Sequence, residues 1–287
     1  VGLPTEAVSG NMGDGKVFSI LTWNLGYAGL GKDADFFYDG GRMVKPGKEE
    51  YQGYLEGIIS RLESFDSVDF ILLQEVDTSS ARSRYTNQFR LISRKLSSRQ
   101  GIFVKNYDVI YVPRPWFRPM AGVTSGLACF SSYPASEATR VVFPFNFGWP
   151  MGLFMPDRLF VSLSIPLPGG EKIRIINTHN SAFDDGNLRK KQLELLYEHM
   201  TEGYGRGEAV IAGGDWNMHP DTYRGQPFKT ADKPFILHGV DQVSGPDPSW
   251  QIAYDPEFPT NREVSEAYIA GETPTGILDF FVCSPNV

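Results

Sequence analysis

The chain has 287 residues, with 27 Lys plus Arg against 34 Asp plus Glu, a formal net charge of −7. Hydrophobic residues make up 41% and charged residues 21%, which excludes a disordered chain, and no apolar run reaches the ~20 residues that cross a membrane as a helix. The acidic balance excludes a protein that coats nucleic acid through clustered cations, but not an enzyme that grips it locally.

Residues 1–16 are rich in Gly, Ser and Asn and read as a loose arm. The start at Val1, with no visible leader, fits an exported protein, bacterial periplasmic or secreted. Val17 to Trp23 reads as a strand that breaks at Asn24 and Gly26. Tyr51, Tyr54, Leu55, Ile58, Ile59 and Leu62 fall on one face of a helix. Phe70 to Leu73 is a continuous apolar run ending in Gln74-Glu75, the pattern of a strand buried on both faces. Ala81, Tyr85, Phe89, Ile92 and Leu96 repeat the helical spacing. Strands follow at Tyr107 to Val112 and Gly126 to Ser131, then a strand pair, Leu159 to Ile165 and Lys172 to Thr178. Leu188, Leu193, Leu196 and Met200 mark a third helix, Ala209 to Ala212 a short buried strand, and Ile277 to Cys283 the last one. Helices alternate with apolar strands first, and strands pair later. This predicts an α/β protein with mixed sheets covered by helices, residues 17–287 forming one domain with no linker or repeat. Cys129 and Cys283 exclude a disulfide framework. They read as small buried strand residues, with a single bridge between them left open.

Polar residues sit at the ends of the apolar strands: Asn24, Glu75, Asn177 with His179, and Asp215 with Asn217. Ligands gather at strand ends in open α/β sheets, so these side chains can converge. They are carboxylates, carboxamides and an imidazole, a set suited to hard cations and phosphate rather than a thiolate zinc site. A hard cation beside a phosphodiester offsets its charge and that of the leaving oxygen, and needs only one or two protein carboxylates.

Six motifs occur in order: Thr22-Trp23-Asn24-Leu25, Leu73-Gln74-Glu75-Val76, Ser125-Gly126-Leu127-Ala128, Asn177-Thr178-His179, Gly213-Gly214-Asp215-Trp216-Asn217 and Ile277-Leu278-Asp279-Phe280. Each alone is weak. As an ordered set from about Val17 to Val282, they resemble the endonuclease/exonuclease/phosphatase superfamily, which includes nucleases, neutral sphingomyelinases and inositol-polyphosphate phosphatases. The resemblance implies a four-layer α/β sandwich, two mixed sheets face to face and flanked by helices. It also implies a metal-dependent phosphoesterase using Mg2+, with Mn2+ as a substitute, that hydrolyses a phosphodiester with an activated water. Glu75 would be the main metal ligand, with Asn24 beside it. Asp215 would orient or deprotonate the water. Asn217 would hold this constellation and contact the phosphate, and His179 would donate to a non-bridging oxygen. Asp279 would pair with a histidine in a Ser-Asp-His motif further along. That motif is missing: the four histidines are His179, His199, His219 and His238, and the sequence given ends at Val287. A further C-terminal segment carrying the motif and a last strand is the expectation, since a sheet without its final strand exposes an unpaired edge. The alternative is a catalytically impaired module of the same fold that binds a phosphorylated ligand or partner.

Taken singly, these residues have plainer readings. Glu75 can be a solvated strand-end carboxylate, Asn24 a turn residue, His179 a structural histidine and Asp215 a helix cap. Asp279 within an apolar strand is harder to explain that way, because a buried carboxylate needs a partner.

For substrate contact the candidates are Asn177, Trp149 and Arg158, with Arg189 near another motif strand. Arg82, Arg84 and Arg90, on the helix after Glu75, are further candidates for contact with a substrate phosphate, with a solvated helix face as their default reading. Two aromatic segments, Arg114 to Met120 and Phe143 to Met155, would rest on a lipid surface or stack on bases if exposed. They would form a satellite core if not. The expected partner is therefore a phosphoester substrate, either a lipid or inositol headgroup or nucleic acid, with no obligate protein partner.

Overall fold

The first apolar run becomes strand β1 (Ile20–Asn24), paired in parallel with β2 (Phe70–Asp77). The computed structural model describes residues 17–113, 115, 119–143, 154–167, 169–182, 188–224 and 242–287. Between the two strands lies helix α1 (Lys48–Glu63), begun where the Gly47 N–H donates to the Glu50 carboxylate at 2.9 Å. Glu49 and Glu50 in its first turn complement the positive end of the helix dipole.

Helix α2 (Gln88–Lys95) is shorter than the spacing from Ala81 predicts. Arg84 and Tyr85 take left-handed φ values of 55° and 57°, which no helix tolerates. Asn87 then caps the helix by accepting from the Arg90 N–H at 2.8 Å. Strands β3 (Gln100–Val112) and β4 (Ala121–Ser131) form a long hairpin, and the first sheet has the order β1-β2-β4-β3. Both run further than the sequence suggests, because alternation along β3 hides its first half from a search for apolar runs.

The second sheet contains β5 (Glu137–Val142), β6 (Leu159–Pro166), β7 (Lys172–His179) and β8 (Ala209–Asp215), with helix α3 (Leu188–Gly205) between β7 and β8. Short strands β9 (His219–Pro220), β10 (Gln242–Val243), β11 (Gln251–Ala253), β12 (Asn261–Arg262) and β13 (Thr275–Gly276) precede β14 (Asp279–Cys283). The sheet order is β11-β14-β8-β7-β6-β5, mixed because only β7 and β8 run parallel.

The layers follow from the faces. Leu72, Ile102, Val104 and Leu127 of the first sheet meet Val161, Leu163, Ile175 and Ile211 of the second in one core. The outer face of the first sheet buries Ile71, Leu73 and Phe130 against Leu62 of α1 and Ile92 of α2. The outer face of the second buries Phe160, Ile176 and Val210 against Leu196 and Met200 of α3. This is the expected α/β sandwich of two mixed sheets flanked by helices. Cys129 and Cys283 are both free thiols. Among the described residues, no helix is long and apolar enough to cross a membrane.

Gly214 shows how tightly the second sheet is built. Its φ is +149°, and a Cβ there would lie 2.0 Å from the Thr178 carbonyl oxygen on the neighbouring strand. Gly214→Ala is expected to cost about 2–4 kcal/mol, measured as a lower midpoint in urea; wild-type stability would refute this account of the Gly-Gly-Asp stretch.

Candidate active site

Parallel and antiparallel pairing place three residues on one rung of the second sheet. His179 on β7 lies opposite Asp215 on β8, and Asp215 lies opposite Asp279 on β14. Side chains directly opposite each other point to the same face, so the three stand abreast at the inner rim. Asn24, ending β1 of the other sheet, closes the gap: its Nδ2 donates to Asp215 Oδ2 at 2.7 Å. The Asn24 Oδ1 accepts from the Gly26 N–H at 2.9 Å, which fixes the carboxamide.

Glu75 reaches the same place by an irregularity. The pairing of β2 with β4 slips between Leu73 and Val76, and Glu75 has a φ of 52°. A bulge of this kind re-aims one side chain out of the strand's alternation. The Glu75 carboxylate comes within 4.0 Å of His179 Nε2, and Asp215 Oδ2 lies 3.7 Å from the same nitrogen. Asn217 also has a left-handed φ, 51°. Its N–H donates to Asp215 Oδ1 at 2.9 Å, and its Nδ2 donates to the Asn180 carbonyl at 2.9 Å. Both Asp215 oxygens are thus held by fixed donors. Stacking of Trp216 on Phe280, with Trp216 N–H to Leu278 O at 2.9 Å, anchors the loop that carries them. Backbone strain at Glu75 and Asn217 persists only where surrounding structure enforces it.

These side chains line a cleft of about 980 Å3, together with Tyr27, Arg82, Tyr107, Met120, Met155 and Arg158. Its electrostatics are those of crowded carboxylates. Burial raises the Asp215 carboxyl to about 6, the Glu75 charge adds to the rise, and the Asn24 and Asn217 hydrogen bonds oppose it. Burial, then the charge of Asp215, pushes Asp279 well above the usual carboxylate range. Burial, reinforced by Arg158 and Arg82, holds the His179 imidazole well below its ordinary value. The ring presents its Nε2 to two carboxylates, which favours the neutral tautomer protonated at that nitrogen.

The donor set fits a hard divalent cation. It is made of carboxylate and carboxamide groups without thiolate, and the Asp279 Oδ1 is buried without a hydrogen bond. Among the described residues, no three His, Cys, Asp or Glu side chains are grouped closely enough to hold a metal ion by themselves.

Several expectations need correction. Asn177 does not reach the cleft. It lies two residues deeper than His179 on the same inner face and is fully buried. Its Oδ1 accepts from Gln74 Nε2 at 2.7 Å, and its Nδ2 donates to Leu73 O and Ala128 O at 3.2 and 3.1 Å. It is a tie between the two sheets, not a substrate contact. Arg189 is likewise buried, donating to the Asn217 carbonyl at 3.2 Å from behind the loop. Arg82 is no solvated helix residue: it lies before α2, buried, ion-paired to Asp77 and on the cleft wall. Arg84 and Arg90 are exposed. Arg158 does line the cleft. Trp149 and most of both aromatic segments lie outside the described residues. Of their flanks, Phe143 is buried in the α3-side core, while Met120 and Met155 border the cleft. Sequence reasoning missed Tyr27 and Tyr107, whose roles depend on contacts far apart in the chain.

Comparisons with known proteins give the family and the fold. The sequence pattern of the Endonuclease/Exonuclease/phosphatase family matches residues 21–286. No curated protein matches the chain. Among solved structures, an endonuclease/exonuclease/phosphatase from Beutenbergia cavernae DSM 12333 superposes with a TM-score of 0.58 at 16% identity, covering 93% of this chain. This chain spans 64% of that protein's length. ANGEL2, a 2',3'-cyclic phosphatase, in complex with adenosine-2',3'-vanadate, gives 0.55 at 16% identity, covering 93% of this chain and 84% of its own. D. rerio TDP2 complexed with single-strand DNA product gives 0.50 at 14%, covering 93% and 83%. At these identities the likeness is one of fold.

Proposed function

The chain belongs to the endonuclease/exonuclease/phosphatase family, and from that premise we propose that it is a divalent-metal-dependent hydrolase that cleaves a phosphodiester by attack of an activated water at phosphorus. The observation that carries this reading is the single rung of His179, Asp215 and Asp279, tied by Asn24 to the opposite sheet and faced by Glu75.

Glu75, with Asn24 beside it, would hold Mg2+, or Mn2+ in its place, and the bound ion would supply charge to the phosphate and the leaving oxygen. Asp215 accepts the proton of the attacking water. Its two oxygens are already oriented by Asn24 and Asn217, and its raised pKa of about 6 suits a general base at neutral pH. After burial, the Glu75 charge keeps that carboxylate basic, and Asp279, itself pushed well above the usual carboxylate range, stands beside it on the same rung. Neutral His179 donates from Nε2 to a non-bridging phosphate oxygen, and Arg158 adds positive charge to the same wall. ANGEL2 carries adenosine-2',3'-vanadate and TDP2 a DNA product, so nucleotide esters join lipid and inositol phosphodiesters as candidates.

The test is a panel of bis(p-nitrophenyl) phosphate, a 2',3'-cyclic nucleotide, a single-stranded oligonucleotide and sphingomyelin, each with Mg2+ and with EDTA. Turnover of at least one member, abolished by EDTA and restored by Mg2+, is expected. In the same buffers Mg2+ should raise the melting temperature, since a ligand bound only to the folded state stabilises it. Undiminished turnover in EDTA, or no turnover of any member, counts against the proposal.

A further inference from the structure

Two buried arginines in this chain are built alike, and the difference between them points to a function. Arg174 donates from Nε and Nη2 to both oxygens of Glu208, and its Nη1 donates to Ser162 Oγ at 2.8 Å. Every nitrogen of that guanidinium has a protein partner. Arg82 donates from Nε and Nη2 to both oxygens of Asp77, at 3.0 and 2.9 Å, in the same fork. Its Nη1, however, makes no hydrogen bond to any described residue, although Arg82 is only 7% exposed.

The surroundings hold the guanidinium in place. One face of the guanidinium lies on the Tyr27 ring, 3.8 Å from its centroid. Asp77 is fully buried, and its N–H is held by Gln88 Oε1 at 2.9 Å. Gln88 Nε2 in turn donates to the Tyr27 carbonyl at 2.8 Å. Arg82 is therefore clamped on one edge and one face, and the residue lines the cleft that holds Glu75 and His179. A buried guanidinium with open N–H donors lacks partners that a structural ion pair would supply. Phosphate oxygens match those donors in geometry and charge.

We propose that Arg82 is a substrate-contacting residue whose Nη1 edge donates to a non-bridging oxygen of the phosphate bound in the cleft, with Asp77 and Tyr27 holding the guanidinium in place. This rests on the phosphoesterase reading of the same cleft.

The test is calorimetric titration of inorganic phosphate into the Mg2+-loaded protein. Arg82→Lys and the double variant Asp77→Asn/Arg82→Gln are compared with the wild type. The double variant leaves no buried charge unpaired, so it folds even if the single substitution does not, and circular dichroism with a cooperative melt establishes this. Loss of one charge-assisted hydrogen bond weakens phosphate binding about 10- to 100-fold. Arg174→Lys, which alters the matching pair remote from the cleft, leaves phosphate affinity unchanged. Wild-type affinity in either folded Arg82 variant, or no phosphate binding by the wild type, overturns the proposal. The panel assay run in parallel separates the two claims. Turnover by the wild type with unaltered phosphate binding in the Arg82 variants sinks this inference alone. Weakened phosphate binding in those variants, with no turnover by the wild type, sinks the hydrolase reading alone.

Discussion

Glu75→Gln is expected to lower turnover of whichever phosphodiester the protein accepts by on the order of 10^3-fold, while leaving the fold intact. Glutamine keeps the size and the amide-compatible shape of the side chain but removes its charge. The left-handed φ of 52° at this position costs free energy that a regular strand would avoid, and the slip in pairing with β4 turns the carboxylate into the cleft. Leu73 and Val76 near it are fully buried, whereas Glu75 lines the cleft. The charge is what the position supplies. The same variant should lose the rise in melting temperature produced by Mg2+, a readout independent of turnover. A Glu75→Gln protein that keeps both its activity and its Mg2+-dependent stabilisation would remove Glu75 from the metal site.

The elements that stood out in the sequence are those whose pattern is local. Phe70–Leu73 and Ala209–Ala212 are short, continuous and apolar, because each is covered on both faces, and they proved to be central strands. The polar residues at the ends of the apolar strands, Asn24, Glu75, His179, Asp215 and Asn217, do meet in one cleft, with Asp279 alongside. What the sequence could not carry is whatever depends on register or on distant partners. Asn177 and His179 look equivalent in a string of residues. Two steps along β7 separate a residue sealed between sheets from one at the rim. The bulge at Glu75 is invisible without its partner strand. Arg82 reads as a solvated helix residue until Arg84 and Tyr85 turn out to break the helix and Asp77 draws the guanidinium inward. Strand β5 escaped notice because its half-buried alternation carries no long apolar run.

Asp215→Asn should show catalysis and stability pulling in opposite directions at this rung. Turnover is expected to fall by on the order of 10^3-fold or more, because an amide cannot accept the proton of the attacking water. Stability in EDTA should move the other way at neutral and higher pH. Asp215 is buried beside Asp279 and near Glu75, and its pKa rises from 3.8 to about 6 on folding. A carboxyl whose folded pKa lies above its unfolded value binds more protons in the folded state. Wild-type stability from this group therefore falls as pH climbs from about 4 through about 6, and the full penalty remains above that. Asparagine is uncharged throughout and can still accept from the Asn217 N–H, at the cost of the hydrogen bond from Asn24 Nδ2, which then faces another NH2. The variant should accordingly melt at a higher temperature than wild type at pH 8 in EDTA. The gap should shrink as pH is lowered through 6 and largely close near 4. Adding Mg2+ at pH 8 should narrow it as well, since the cation offsets in the wild type the same repulsion that the substitution removes. A variant less stable than wild type at pH 8 in EDTA, with no pH dependence in the difference, would mean that Asp215 is a structural hydrogen-bonding residue whose charge the fold tolerates without cost.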